Sequence, residues 1–141
     1  MKLNEVTDQM RSLLDAASPA VIAVYRPDGE AVVSPVWYRV NEDMFEVVMA
    51  LADRKLEHLR ADPRCVVLVF ETAPPFRGVQ VRSRAEIVAD TGGAARLAIA
   101  SRYLGEDGGR RYADTSRRPP GVIVRLAPQD ARAWDLTASL R

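Results

Sequence analysis

The sequence predicts a mainly β protein, a small six-stranded antiparallel barrel with a few helices. Six segments have strand character, either as short apolar runs or as alternating apolar and polar residues, and only three have helical spacing. The connections are mostly short and contain turn-forming Gly, Pro, Asn and Asp. An open meander of this kind would expose two strand edges, which closure into a barrel removes.

The predicted elements fill one domain over residues 1–141, because a chain of 15.6 kDa is large enough for only one core. We expect helices over 3–17, between Asp53 and Asp62, and over 91–104, and strands over 21–25, 31–40, 44–51, 64–71, 77–89 and 122–126. The segment from Arg110 to Arg118 has no apolar period, which predicts a mobile loop or a short helical turn.

Composition limits the function classes. The chain is 48% hydrophobic and 28% charged with a net charge of +1, and its basic residues are dispersed, so we expect no nucleic-acid partner. Cys65 is the only cysteine, which excludes an internal disulfide and favours a reducing cytoplasm. The charged N-terminal segment is no secretory signal, and no stretch has the length of a membrane span.

The strand predicted over 31–40 contains an irregularity. Pro35 has no N–H to donate to a neighbouring strand, so it implies a bulge, a sheet edge or a break at Ser34-Pro35. A break would leave backbone groups there for another partner. Neither face of this strand is plainly polar, so we expect both sides of the sheet to be covered.

Two cations open the short helix that follows the third predicted strand. Asp53 is placed to cap this helix, which makes Arg54 and Lys55 first-turn residues. Cations are unfavourable at a helix N-terminus unless an anion offsets them. This pattern has two interpretations: a bound phosphate, or a solvent-exposed pair that Asp53 offsets, and the residues alone favour the second.

The sequence lacks the motifs of several common classes of enzyme and binding site. No GxSxG, GxGxxG or GxxxxGK motif occurs, and His58 is the only histidine, so neither a hydrolase triad nor a metal site is expected. Tyr38 and Tyr103 could donate a proton, but a buried tyrosine with a satisfied hydroxyl is the favoured interpretation of each. We therefore predict no catalytic side chain.

Three motifs occur in a familiar order: Ser34-Pro35-Val36-Trp37-Tyr38, the segment from Arg54-Lys55 to Pro63-Arg64, and the segment from Val81 to Val88. With Trp134-Asp135 near the end, the chain resembles the pyridoxamine 5′-phosphate oxidase-like split β-barrel proteins. Within them it is most similar to actinobacterial flavin/deazaflavin oxidoreductases. The resemblance implies a homodimer that holds F420, or alternatively FMN, in a groove between subunits.

The resemblance also implies site residues. Lys55 and Arg54 would hold the cofactor phosphate, and Ser34, Pro35, Val36 and Trp37 would contact the ring system. The chain differs from many relatives in two ways. Met49, Ala50 and Leu51 stand where hydroxyl and guanidinium donors are usual, and His58 replaces an asparagine.

The function that the resemblance implies is a reductase that moves a hydride from reduced F420 or a flavin to a small organic substrate. One alternative is a non-catalytic protein that stores or senses a flavin, haem or another tetrapyrrole, which the missing donors before Lys55 would suit. Another is a structural dimer with an empty groove. The segment from Arg110 to Arg118 would meet an anionic cofactor tail or remain solvated, and solvation is favoured.

Overall fold

The computed structural model describes residues 1–141 and contains one antiparallel sheet of seven strands with three α-helices. The sheet order is β2-β1-β5-β6-β7-β4-β3. The elements are α1 (Leu3–Asp15), β1 (Ala20–Tyr25), β2 (Ala31–Val36), β3 (Arg39–Asn41), β4 (Met44–Ala50), α2 (Arg54–Ala61), β5 (Arg64–Phe70), β6 (Gly78–Ala89), α3 (Ala94–Tyr112) and β7 (Gly121–Trp134), with short 3₁₀ helices at Thr91–Gly93 and Thr137–Leu140. The mainly β class is confirmed.

The prediction of six strands was wrong, because the strand expected over 31–40 divides at Trp37 and Tyr38 into β2 and β3. These two strands are the opposite edges of the sheet. Only two residues join them, so their facing ends are at most ~11 Å apart. The sheet must therefore curl until its edges approach, which gives a barrel with an opening beside the link. We call this opening the seam.

Pro35 lies at a sheet edge. It pairs with Val21 of β1, and β2 has no strand on its other side, so the missing N–H interrupts no ladder. Of the three possibilities that the sequence left open, the structure shows the edge. The strand ends one residue later, at Val36.

The core fills the barrel and continues under α1. Alternate residues of the strands point inward, as in β1, where Ala20, Ile22 and Val24 are buried. The apolar side of α1 packs against β6 and β7 and closes one end. Cys65 is part of this core, and burial raises the pKa of its thiol to about 12, so it behaves as a small hydrophobic residue.

Helix α3 is longer than predicted. The glycines after Leu104 were expected to end it, but the helix runs to Tyr112 with a local break at Gly105, whose φ is +77°. Gly109 packs closely on Ser101, where a side chain would not fit. Of the two alternatives expected for the segment from Arg110 to Arg118, neither describes Arg110 and Arg111, which lie in the last turn of the long helix α3.

Strand β7 is also longer than predicted, because it pairs with β6 along that strand's whole length, and a bulge beside Pro128 absorbs the irregularity. None of the helices has both the length and the apolar composition needed to cross a bilayer.

Candidate functional site

A cavity of about 710 Å³ lies beside the seam, and we call it the seam cavity. It is bounded by the end of β2, the second half of β4, the segment before β1 and helix α3. Its volume is within the range of cofactor and small-molecule sites. Twelve of its 19 lining residues are hydrophobic, so it suits a ligand with a large apolar body.

Four of the predicted site residues line the seam cavity: Pro35, Val36, Trp37 and Lys55. Ser34 does not line it. Arg54 is exposed and lines a neighbouring groove of about 360 Å³, together with Arg26, Pro27, Val32, Lys55 and His58. The structure therefore brings the end of β2 and Lys55 together in the seam cavity, which Ser34 and Arg54 do not line.

Lys55 faces the cavity as half of an ion pair. The backbone N–H of Lys55 donates to Asp53 Oδ1 at 2.9 Å, which caps α2 as predicted, and its Nζ donates to Asp53 Oδ2 at 3.0 Å. Both side chains are mostly buried, and Asp53 also lines the cavity. This end of the cavity therefore carries no net charge from the pair.

Another part of the cavity wall is aromatic. The Trp37 ring stacks on Tyr103 with centroids 5.2 Å apart and an interplanar angle of 12°, and it contacts Tyr112 at 4.9 Å with a tilt of 51°. Such contacts hold the indole in one orientation. They also cover part of the indole surface, so only the remaining part of the Trp37 ring is open to the cavity.

The tyrosine hydroxyls near the seam have partners. Tyr103 Oη donates to Ser18 O at 3.3 Å and accepts the backbone N–H of Tyr38 at 3.4 Å, while Tyr38 Oη donates to Leu14 O at 3.0 Å. Burial raises the pKa of both hydroxyls. Both remain protonated at neutral pH and neither is poised to release a proton.

Two arginines also line the cavity: Arg96, which the sequence did not single out, and Arg118, from the segment for which solvation was favoured over contact with an anionic tail. Arg96, in the first turn of α3, donates from Nη1 to Pro119 O at 2.9 Å. The Arg118 guanidinium lies 3.9 Å from the centroid of the Tyr112 ring. Neither guanidinium makes an ion pair with a carboxylate, so the cavity has three cations against the single carboxylate of Asp53. No motif surrounds Arg96, and only the folded helix brings it here.

A comparison with family models decides the relationship. The model for pyridoxamine 5′-phosphate oxidase matches residues 6–135. The chain belongs to the pyridoxamine 5′-phosphate oxidase family. The resemblance seen in the motifs is thereby confirmed, while a search of curated protein sequences gives no significant match.

Solved structures agree with this family assignment. A conserved hypothetical protein from Mycobacterium tuberculosis is 24% identical, with a TM-score of 0.79 over 100% of this chain and 89% of that one. An F420 reductase is 26% identical, with a TM-score of 0.70 over 86% of this chain and 94% of that one. The haem storage protein HutZ from Vibrio cholerae is 16% identical, with a TM-score of 0.65 over 96% and 95%.

The residues of this pyridoxamine 5′-phosphate oxidase family member fit a ring cofactor with a phosphate. The apolar and aromatic walls suit the ring, and three cations suit the anion. The positions from Met49 to Leu51 supply no side-chain donor: Met49 and Ala50 line the cavity with apolar groups, and Leu51 is exposed. Any phosphate here needs donors from elsewhere in the chain.

Proposed function

We propose that this protein is a cytoplasmic, homodimeric reductase that binds F420, or alternatively FMN, in the seam cavity and reduces a small organic substrate. The observation that carries the proposal is the composition of that cavity. An apolar and aromatic surface large enough for a ring system lies beside cations that no carboxylate fully neutralises. When bound, the reduced cofactor would supply the hydride, and the protein need only bind and orient both partners.

The roles follow from position. Pro35, Val36 and Trp37 would contact the ring system, and Lys55 would contact the phosphate. We assign Ser34 and Arg54 no contact within this cavity, because neither lines it. Tyr103 orients Trp37 through the stacked contact and donates its proton to a backbone carbonyl, so we assign it a positioning role.

The exposed face of β2 supports the homodimer. Ala31, Val33 and Pro35 point outward on an edge strand, and Val33 is 63% exposed. Apolar side chains on an unpaired edge favour association with another surface. Sedimentation should give twice the chain mass of 15.6 kDa, and a single-chain mass would contradict this part of the proposal.

A storage function is the second candidate, and one observation favours it. Asp53 is the single carboxylate of the cavity, and it already engages Lys55, so neither is free to act as an acid or base. Among stored ligands a flavin is favoured over haem, because His58 lines the smaller groove and no histidine lines the seam cavity. Iron in the seam cavity would therefore lack an imidazole ligand.

The test has two stages. Purified protein is titrated with F420 and FMN, with binding followed by cofactor fluorescence, and the complex is then mixed in its reduced form with a panel of quinones and enones. Binding followed by multiple turnovers supports the reductase. Binding without turnover by any acceptor supports storage, and binding of neither cofactor at micromolar concentration overturns both.

A further inference from the structure

We infer that Arg96 binds the phosphate of the cofactor and replaces the donors that the chain lacks at Met49, Ala50 and Leu51. This inference rests on the proposed function and goes beyond it, because Arg96 is distant in sequence from every motif that indicated the site. It follows from where the guanidinium lies, what holds it there, and which of its N–H groups are free.

The Arg96 guanidinium lies against the end of β4. Gly121 pairs with Ala50 in the sheet, and a Cβ added to Gly121 would be 2.6 Å from Arg96 Nη2 and 2.7 Å from Met49 O. Arg96 therefore occupies the space that a side chain at position 121 would fill. It reaches the strand end that precedes Lys55, which is where the sequence lacks donors.

The position of Arg96 is fixed before any ligand arrives. The Asp90 carboxylate accepts the backbone N–H of Ala95 at 2.9 Å and that of Arg96 at 3.1 Å, and Asp90 is buried. These two bonds hold the first turn of α3, and the bond from Nη1 to Pro119 O holds the side chain. A preorganised donor loses little entropy on binding.

The guanidinium also has unused capacity. It carries five N–H groups, of which one has a partner in Pro119 O, and no carboxylate pairs with it. Lys55 differs in this respect, because Asp53 offsets its charge. Arginine binds phosphate oxygens through two parallel hydrogen bonds, so Arg96 is better suited than Lys55 to distinguish a phosphate from a neutral tail.

The experiment compares FMN with riboflavin, which has the same ring and no phosphate. Dissociation constants are measured for the wild type, Arg96→Met, Arg96→Lys and Arg111→Met. Arg111 is the matched control because it is an exposed arginine of the same helix, lies outside the cavity and has no ion pair.

We expect Arg96→Met to weaken FMN binding at least about tenfold, the effect of losing a charge-assisted contact. Riboflavin binding should change less than about twofold, Arg96→Lys should retain part of the preference for FMN, and Arg111→Met should match the wild type. An unchanged preference in Arg96→Met, or an equal loss for both ligands, would overturn the inference, because the role of Arg96 would then be structural.

A second measurement separates this inference from the proposed function. Pyrophosphate is added at constant ionic strength, and the rise in Tm is followed for the same variants. A rise in the wild type and in Arg111→Met that is lost in Arg96→Met supports an anion site at Arg96 even if neither F420 nor FMN binds. No rise in the wild type, or an equal rise in all variants, counts against the site.

Discussion

Two pairs of arginines, each from distant parts of the chain, differ in what lies between them. Arg39 and Arg125 converge on Glu46, donating from Nε at 2.8 Å and 2.9 Å. Arg96 and Arg118 converge on the seam cavity, where no carboxylate pairs with either. The first pair uses its charge inside the protein, whereas the second leaves its charge available to a ligand.

The burial of the acid explains the difference. The Glu46 side chain is only 3% exposed, and Asn41 and Glu42 complete a closed network around it and Arg125. A buried carboxylate needs such partners because its desolvation is costly. The seam cavity has no equivalent acid beyond Asp53, which Lys55 already engages. A bound phosphate would therefore offset the arginine charges there, as Glu46 does in the sheet.

Removing the acid of the closed network should give the largest effect. We expect Glu46→Ala to lower the free energy of unfolding by about 2–3 kcal/mol, because the Nε groups of Arg39 and Arg125 both lose their hydrogen-bond acceptor. Urea unfolding measures this, with Glu57→Ala, an exposed acid of α2, as the control. The affinity of the folded variant for the cofactor should stay unchanged, measured under conditions in which the variant is fully folded. A loss of affinity with no loss of stability would instead show that the network is part of the binding site.

Removing Lys55 should affect cofactor affinity rather than stability. Lys55→Ala is expected to weaken F420 or FMN binding by about 1.5–3 kcal/mol, since a charged hydrogen bond is lost. The unpaired Asp53 carboxylate would add repulsion toward a phosphate. Arg54→Ala is the matched control, because Arg54 is adjacent in sequence but lies outside the cavity. Equal losses in both variants would show that the smaller groove belongs to the site.

The hydroxyl of Tyr103 tests whether the aromatic wall is structural. Tyr103→Phe removes the bond to Ser18 O and should lower the free energy of unfolding by about 1 kcal/mol. The turnover rate should change less than about twofold, because this hydroxyl already donates its proton to Ser18 O and its raised pKa makes it a weaker acid. A large rate loss with unchanged stability would instead identify Tyr103 as a proton donor.

The same raised pKa sets a pH dependence. The folded state holds the Tyr103 proton more tightly than the unfolded chain does. The hydroxyl therefore contributes fully to the free energy of unfolding below pH 10, the ordinary pKa of tyrosine, and this contribution is lost as the pH rises further. The stability difference between wild type and Tyr103→Phe should therefore be constant from about pH 6 to 9 and shrink above about pH 10. A difference that changes near neutrality would show that the hydroxyl titrates there.

Arg118 should give the smallest effect, because its side chain is exposed and water screens its charge. Arg118→Met is expected to weaken FMN binding by about 0.5–1 kcal/mol at low salt, and the loss should disappear at about 1 M salt. Titrations at the two salt concentrations measure this. A loss as large as that for Lys55→Ala at high salt would place Arg118 in direct contact with the ligand.

The sequence predicted local features better than long-range placement. The cap at Asp53 and the sheet edge at Pro35 follow from neighbouring residues, and the structure shows both. The division of the strand predicted over 31–40 at Trp37 and Tyr38 was missed, because two aromatic residues in this position are typical of a continuing strand. Their side chains are instead held by α1 and α3, as the bond from Tyr38 to Leu14 O shows.

The sequence predicted only part of the candidate site, for the same reason. Lys55 and the end of β2 carry motifs, whereas Arg96 depends on a helix packed across the cavity and on a glycine that leaves room for it. A single arginine in an otherwise ordinary helix has no local pattern. The helix break at Gly105 was likewise misread as a helix end, because glycines after an apolar period usually end a helix, whereas α3 resumes and runs to Tyr112.

The most direct test of the account is cofactor binding to a protein whose cavity has been filled. Ala50 lines the seam cavity and Ala52 does not, although both are exposed and two residues apart. F420 and FMN titrations are run on the wild type, Ala50→Trp and Ala52→Trp. The account predicts micromolar or tighter binding of at least one cofactor, lost only in Ala50→Trp. Binding that Ala50→Trp leaves intact, or no binding by the wild type, would contradict it.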